Sequence, residues 1–212
     1  MKLVADTLVL ARGGRTVVDR LSFAVDAGRA LVLSGANGAG KTTLIRALAG
    51  FLLPVEGQIV LEGGSADRTP AEQCHYVGHL NGMKSSLTVE ENLLFWADFL
   101  RAPGAGSGVE PPERVGAALT RFDLEPLSDI PAGYLSAGQK RRLGLARLLV
   151  AERPVWLLDE PTVSLDTRSA GLVAALVNAH TAAGGIVVAA THLDLGLERA
   201  DELRLGPRVV AA

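Results

Sequence analysis

A single cysteine, Cys74, is found among the 212 residues. An internal disulfide is therefore excluded, a reducing compartment is suited, and Cys74 is expected to serve as a small buried apolar residue. Aromatic residues are scarce, at 4%, so any cluster of them stands out. Neither charge sign dominates: 21 Lys and Arg stand against 23 Asp and Glu, a formal net charge of −2. This argues against a nucleic-acid partner, which would call for a basic surface. No apolar run approaches the roughly 20 residues needed to span a bilayer. Asp6 arrives too early after Met1 for a secretory signal. The chain is thus expected to be cytosolic on its own account, with any membrane supplied by a partner. Apolar material is plentiful, and 48% hydrophobic against 21% charged residues supports a packed core and argues against disorder. The length fits one domain, or a core with a small subdomain.

The stretch Gly35-Ala36-Asn37-Gly38-Ala39-Gly40-Lys41-Thr42-Thr43 matches G-x-x-x-x-G-K-[ST], a phosphate-binding loop. Its flanks are those the motif requires: Ala30–Ser34 reads as a buried strand, and Thr43–Ala49 as a helix stopped by Gly50. A strand, a glycine-rich turn and a helix N-terminus aim several backbone N–H groups at one anion. In such a loop Lys41 reaches the β- and γ-phosphates of a nucleotide, and the Thr42 hydroxyl is a ligand for Mg²⁺.

Leu3–Leu10, Thr16–Val18 and Leu21–Val25 read as strands of a β-rich opening, with Gly13-Gly14 as a turn. Gly57–Leu61 is a further strand. Thr88 caps a helix, with Glu91 completing a capping box. The segment from Pro103 to Pro112 is too rich in Gly and Pro for regular structure, and a second helix is expected from about Glu113 to Phe122. Residues from about 80 to 135 therefore form a helical insert in a single domain spanning 1–212. Beyond it, Val155–Asp159 is a buried strand, about Thr167 to Ala183 a helix, and Ile186–Ala190 another strand. Strand–helix alternation on both sides of the insert implies an α/β fold with a mainly parallel sheet covered on both faces. Ligands of such sheets sit at the carboxyl ends of strands, where the phosphate loop, Asp159 and Thr191-His192 fall.

Asp159 closes an apolar strand and suits Mg²⁺, while Glu160, one residue further toward solvent, suits orienting or deprotonating an attacking water. Leu135-Ser136-Ala137-Gly138-Gln139 holds a second capping box, between Ser136 and Gln139. The helix it opens presents a second anion site. Either this is simply a well-capped helix, or two chains pair head-to-tail and each lends that helix end to the other's ATP. The cations Lys140, Arg141, Arg142 and Arg147 are expected to form a solvated helix face rather than a partner or lipid patch. Phe95, Trp96 and Phe99 either fill the insert's small core or border a groove, near His79 to Lys84, for a partner's short helix. His75 and His79 read as loop residues.

Taken together, Gly35–Thr43, Leu135–Gln139, Val155–Glu160, Ser164-Leu165-Asp166 and His192 resemble the nucleotide-binding subunit of an ABC transporter over nearly the whole chain. The resemblance implies a P-loop NTPase core with an N-terminal antiparallel β subdomain and a helical insert. It implies Mg-dependent hydrolysis of ATP by a dimer that closes on ATP and docks on integral membrane permease subunits. By that resemblance Lys41 and Thr42 belong to Walker A, and Asp159 is the Walker B aspartate. Glu160 is the catalytic carboxylate, Leu135 to Gln139 the signature that acts on the partner's ATP, Ser164 to Asp166 the D-loop and His192 the switch histidine.

Three positions depart from the family pattern. Ala137 stands where glycine is commoner, His79 where the coupling-loop glutamine is expected, and Arg12 where an aromatic usually stacks on adenine. Arg12 either stacks its guanidinium on the base or is an exposed charge. The run Gly78–Leu93, with Leu135–Arg142, is similar to one branch of the family, the ATP-binding subunits of the cytochrome c biogenesis, haem-exporting systems. That branch implies a peripheral protein on the cytoplasmic face of a bacterial inner membrane, working with haem and a haem chaperone through its complex. The alternatives are the ATPase of another ABC importer or exporter and a soluble, non-transport ABC ATPase. A P-loop kinase fits poorly, since it would lack the signature helix.

Overall fold

The computed structural model describes residues 1–101 and 110–206; residues 103–109 of the expected glycine- and proline-rich loop lie outside them. Contacts divide the chain into two compact units. The first takes Met1–Tyr76, Pro154–Pro161 and the chain from Val173 onward, and the second takes Val77–Arg153 and Thr162–Leu172.

The first unit opens with a hairpin, β1 (Lys2–Arg12) and β2 (Arg15–Asp26), turned at Gly13-Gly14. Both glycines have positive φ, at 57° and 74°, which L side chains adopt with strain. Thr16–Val18 and Leu21–Val25, expected as two strands, are one. Pairing of Leu8 with Leu21 and of Leu10 with Val18 leaves an extra residue on β2, a bulge that bends the strand without ending it. After β3 (Ala30–Ser34) and α1 (Lys41–Leu48), β4 (Glu56–Glu62) pairs antiparallel with β1 to give the order β2-β1-β4.

The second sheet has the order β5-β6-β7-β3-β8, with β5 at Cys74–Val77, β6 at Val155–Asp159, β7 at Ile186–Ala190 and β8 at Ala200–Arg204. β3 pairs in parallel with β7 and β8, and β6 with β7. Every residue of β6 and β7 is buried, which is why both strands read as unbroken apolar runs rather than alternating ones. α1 packs on β6 and β7. Cys74 is buried and free of disulfide, its Sγ 3.0 Å from the Pro70 carbonyl. His75, expected in a loop, is buried within β5 at 2% exposure, because the strand begins one residue before it.

The second unit is built on α2 (Val89–Phe99), α3 (Pro111–Arg121) and α4 (Ala137–Val150), which pack on one another. Thr88 and Glu91 form the expected capping box of α2. Pro111 and Pro112, read from sequence as loop, open α3 instead, since the first helical turn needs no N–H donors there. Phe95 and Phe99 are 39% and 68% exposed, so these two do not fill the unit's core. They stack on each other at 5.9 Å between ring centroids. α5 (Thr167–Ala182) begins in the second unit and ends in the first. Among the described residues no helix is long and apolar enough to cross a membrane.

Candidate functional site

The loop between β3 and α1 is fixed by close packing. Gly35 has φ 129°, and a side chain there would collide with the Leu205 carbonyl. Gly40, at φ 104°, caps α1; a Cβ on it would lie 3.0 Å from Val17 Cγ1 and 3.2 Å from Val18 Cγ2. The β1–β2 hairpin thus lies against the loop. Arg12 ends β1 on that hairpin, exposed and directly across from Arg15. Lys41 is buried, and its Nζ donates to the carbonyls of Gly35 at 2.6 Å and Ala36 at 3.1 Å. Within the loop Gly35, Ala36, Asn37, Gly38, Ala39 and Gly40, the first two carbonyls therefore hold an ammonium group.

The ends of β6 and β7 bring the remaining groups of the first unit together. Thr42 donates its Oγ1 hydrogen to Asp159 Oδ1 at 3.1 Å, and Asp159 is buried at 3% exposure. Thr43, next on α1, is buried too. Glu160 turns out of the strand with φ 49°, its N–H held by the Ala190 carbonyl at 2.8 Å. That left-handed conformation is uncommon for a residue with a side chain. His192 Nε2 lies 3.4 Å from Glu160 Oε1. Its turn is fixed by Thr191, whose Oγ1 accepts from Leu193 N at 3.0 Å. Neither the Glu160 backbone nor the Thr191 bond carries a signal in the sequence.

In the second unit, Ser136 caps α4 as expected: Ser136 Oγ accepts from Gln139 N at 3.3 Å, and Gln139 Oε1 accepts from Ser136 N at 2.8 Å. Leu135 is buried behind the cap, and Ala137 is the first helical residue. Gly138 packs against the stretch Ser164-Leu165-Asp166 of the same chain, since a Cβ on it would lie 3.1 Å from the Ser164 carbonyl. Ser164 has φ 66°, and Leu165 N donates to the Thr162 carbonyl at 3.2 Å. Asp166 Oδ1 accepts from Ser169 N at 2.7 Å, a bond that holds its carboxyl below the usual range. His79 is exposed in the turn that follows β5.

The cations of α4 differ from expectation. Lys140 and Arg142 are partly exposed, with donors on the carbonyls of Gly133 and Phe122 at 3.0 Å each. Arg141 is buried at 4% exposure, and burial pushes the Arg147 guanidinium down to about 10. The reason is the loop that follows β5, which folds over this face of α4, buries Arg141 and leaves Arg147 half-buried.

The family model described as ABC transporter matches residues 18–163. The chain belongs to the ABC transporter family. It is 49% identical over 206 residues to the cytochrome c biogenesis ATP-binding export protein CcmA of Rhodopseudomonas palustris strain HaA2, covering 97% of this chain and 98% of that protein. It is 51% identical over 209 residues to the protein of the same name from Rhizobium meliloti strain 1021, covering 97% and 98%. A solved ATP-binding subunit of an ABC transporter superposes with a TM-score of 0.83 at 26% identity, covering 97% of this chain and 86% of that one. As an ABC ATPase, the chain binds and hydrolyses ATP.

The donor set of this ABC ATPase also fits a magnesium ion. Thr42 Oγ1 and Asp159 Oδ1 are hard oxygen donors already within 3.1 Å of each other. Mg²⁺ is commonly held by one or two protein oxygens, with substrate phosphates and water completing its shell.

Proposed function

We propose that this ABC ATPase drives an export step of cytochrome c biogenesis, bound to membrane-spanning subunits on the cytoplasmic face of a bacterial inner membrane. The complex handles haem, or releases it from a haem chaperone. Near-full-length similarity to proteins named for ATP-binding export in cytochrome c biogenesis supports the system. The chemical part is carried by one observation, the approach of His192 Nε2 to within 3.4 Å of Glu160 Oε1 beside the Lys41 loop.

In this reading Glu160 accepts a proton from the attacking water, and His192 orients that carboxylate while its ring meets the γ-phosphate. Lys41 exchanges its bonds to the Gly35 and Ala36 carbonyls for β- and γ-phosphate oxygens, using a charge already poised within the loop. Backbone N–H groups of residues 35–43 cradle the remaining phosphate charge. Thr42 and Asp159 hold Mg²⁺, which when bound neutralises charge on the β- and γ-phosphates. Positioning and charge neutralisation supply most of the barrier reduction. The free N–H groups at the Ser136 end of α4 serve the nucleotide of a second copy, so two chains close head-to-tail on two ATP, with Ser164–Asp166 at their border. Arg12 lies against the base, and His79 stands at the coupling turn.

Glu160→Gln tests the chemistry. ATP binding should persist, turnover should fall by about a hundredfold or more, and an ATP-bound dimer should accumulate in sedimentation. Undiminished turnover removes Glu160 as the base. Assembly of c-type cytochromes in cells carrying only Lys41→Ala tests the system: wild-type amounts of haem-bearing product contradict the assigned role.

A further inference from the structure

α4 presents Arg141, Gly144 and Arg147 at intervals of three, along one face of the helix. The turn Gly78–Lys84 lies on that face. Arg141 Nη1 donates to the Gly78 carbonyl at 2.7 Å and to Asn81 Oδ1 at 3.1 Å. Arg147 Nη1 donates to the Asn81 carbonyl at 3.1 Å. Between the two arginines Asn81 rests on Gly144, where a Cβ would lie only 2.9 Å from its Oδ1 and 3.0 Å from its Cβ. From the other side α2 completes the grip. Trp96 Nε1 donates to the Gly82 carbonyl at 3.0 Å, and the Arg147 guanidinium lies 3.5 Å above the Trp96 ring. The buried Asn92 accepts from Lys84 N at 2.8 Å and donates back to the Lys84 carbonyl at 3.0 Å. Gly78, Asn81, Gly82 and Lys84 are thus fixed, while His79 and Leu80 stay exposed, Leu80 at 84%.

Two features of this arrangement are unfavourable to a plain helix. A glycine inside α4 lowers its helix propensity, and withdrawing guanidinium charge from water is costly unless each group is well bonded. Arg147 Nε is buried without a hydrogen-bond partner among the described residues. An apolar residue would fill the space near Trp96 without that penalty, so packing alone does not account for a cation there. A fork of donors that holds carbonyls in a fixed geometry does.

We propose that Arg141 and Arg147 are positioning residues that lock the turn Gly78–Lys84 to α4, so that a load on its exposed tip is delivered to the Ser136 end of the helix. The physical basis is a hydrogen-bonded, packed connection within one compact unit. The load would come from the membrane-spanning subunits, and in that respect the inference rests on the functional reading above. Arg141 and Arg147 touch neither nucleotide nor water in this scheme.

The test uses Gly144→Ala and Arg147→Met, each as the isolated chain and as the complex purified with its membrane subunits. Gly144→Ala improves helix propensity yet pushes Asn81 off the helix; a purely structural role predicts no loss of function from it. Both variants should melt close to the parent and keep kcat and KM of the isolated chain within about twofold. Amides of residues 79–83 should exchange about tenfold faster, and the rise in ATPase rate on assembly with the membrane subunits should be lost. A full rise on assembly in both variants overturns the proposal, and so does unchanged exchange at 79–83. If either variant fails to fold, Asn81→Ala must give the same pattern or the proposal fails. A parent chain whose rate does not respond to the membrane subunits counts against the membrane-complex reading, and the exchange result then decides the lock alone.

Discussion

Thr42 Oγ1 donates to Asp159 Oδ1 at 3.1 Å, joining the first turn of α1 to the end of β6 across 117 positions of sequence. The bond orients a carboxylate that is 3% exposed and fixes the spacing of two oxygen donors. Asp159→Asn keeps the volume and removes the charge. The Mg²⁺ concentration giving half-maximal ATPase rate should rise by about tenfold or more, measured by titrating the metal at saturating ATP. An unshifted titration would remove Asp159 from the magnesium site.

Lys41→Ala deletes a charged donor held inside the phosphate loop. Charge-assisted bonds to phosphate are strong, and losing about 3 kcal/mol corresponds to about a hundredfold weaker ATP binding. Calorimetric titration with a non-hydrolysed ATP analogue measures it. Affinity within a factor of about two of the parent's would show that the ammonium does not meet the nucleotide.

Arg12 and Arg15 face each other across the hairpin tip, a like-charge pair that is unfavourable in isolation. A nucleobase lying on the Arg12 guanidinium would relieve it. Arg12→Ala should raise KM for ATP about fivefold, the ~1 kcal/mol of an exposed cation–π contact, with kcat unchanged. A constant KM leaves Arg12 as a surface charge.

His180 gives a pH dependence of stability rather than of catalysis. Its ring stacks on Trp156 at 4.0 Å between centroids, with an interplanar angle of 9°, and Nε2 lies 3.2 Å from the Pro154 carbonyl. Burial lowers its pKa, partly offset by bonds to the backbone of Pro154 and Ile186. The folded chain therefore binds fewer protons than the unfolded one between the two pKa values. This contribution is complete above the unfolded pKa of about 6.5, and it is lost as pH falls through the lower, folded pKa. The urea midpoint should drop between pH 7.5 and pH 5, a window set by that unfolded value of about 6.5, and His180→Gln should flatten the drop. An equal slope in the variant would assign it to other groups.

Much of the fold was legible in the sequence because the strands that position the site are buried on both faces. β3, β6 and β7 start and stop at the residues where their apolar runs do, and the caps at Thr88 and Ser136 follow from side chains three residues apart. The hydrogen-bonded proximity of Thr42 to Asp159 is a product of parallel strands ending together. The rest is tertiary. Charge pattern alone puts Arg141 and Arg147 in solvent, since nothing near them shows that a turn some sixty positions earlier will cover them. The left-handed backbone at Glu160 and Ser164 is equally hidden, because neither residue type announces it.

Leu205 follows β8 and closes over Gly35: its N–H donates to Ser34 O at 2.9 Å, and its carbonyl occupies the space a side chain on Gly35 would need. The edge of the sheet is thereby a wall of the Gly35–Gly40 loop. An affinity tag, a fusion joint or a proteolytic nick placed at 204–206 should consequently disturb the Gly35–Gly40 loop, whereas the same alteration in the exposed segment at 65–67 should leave it in place.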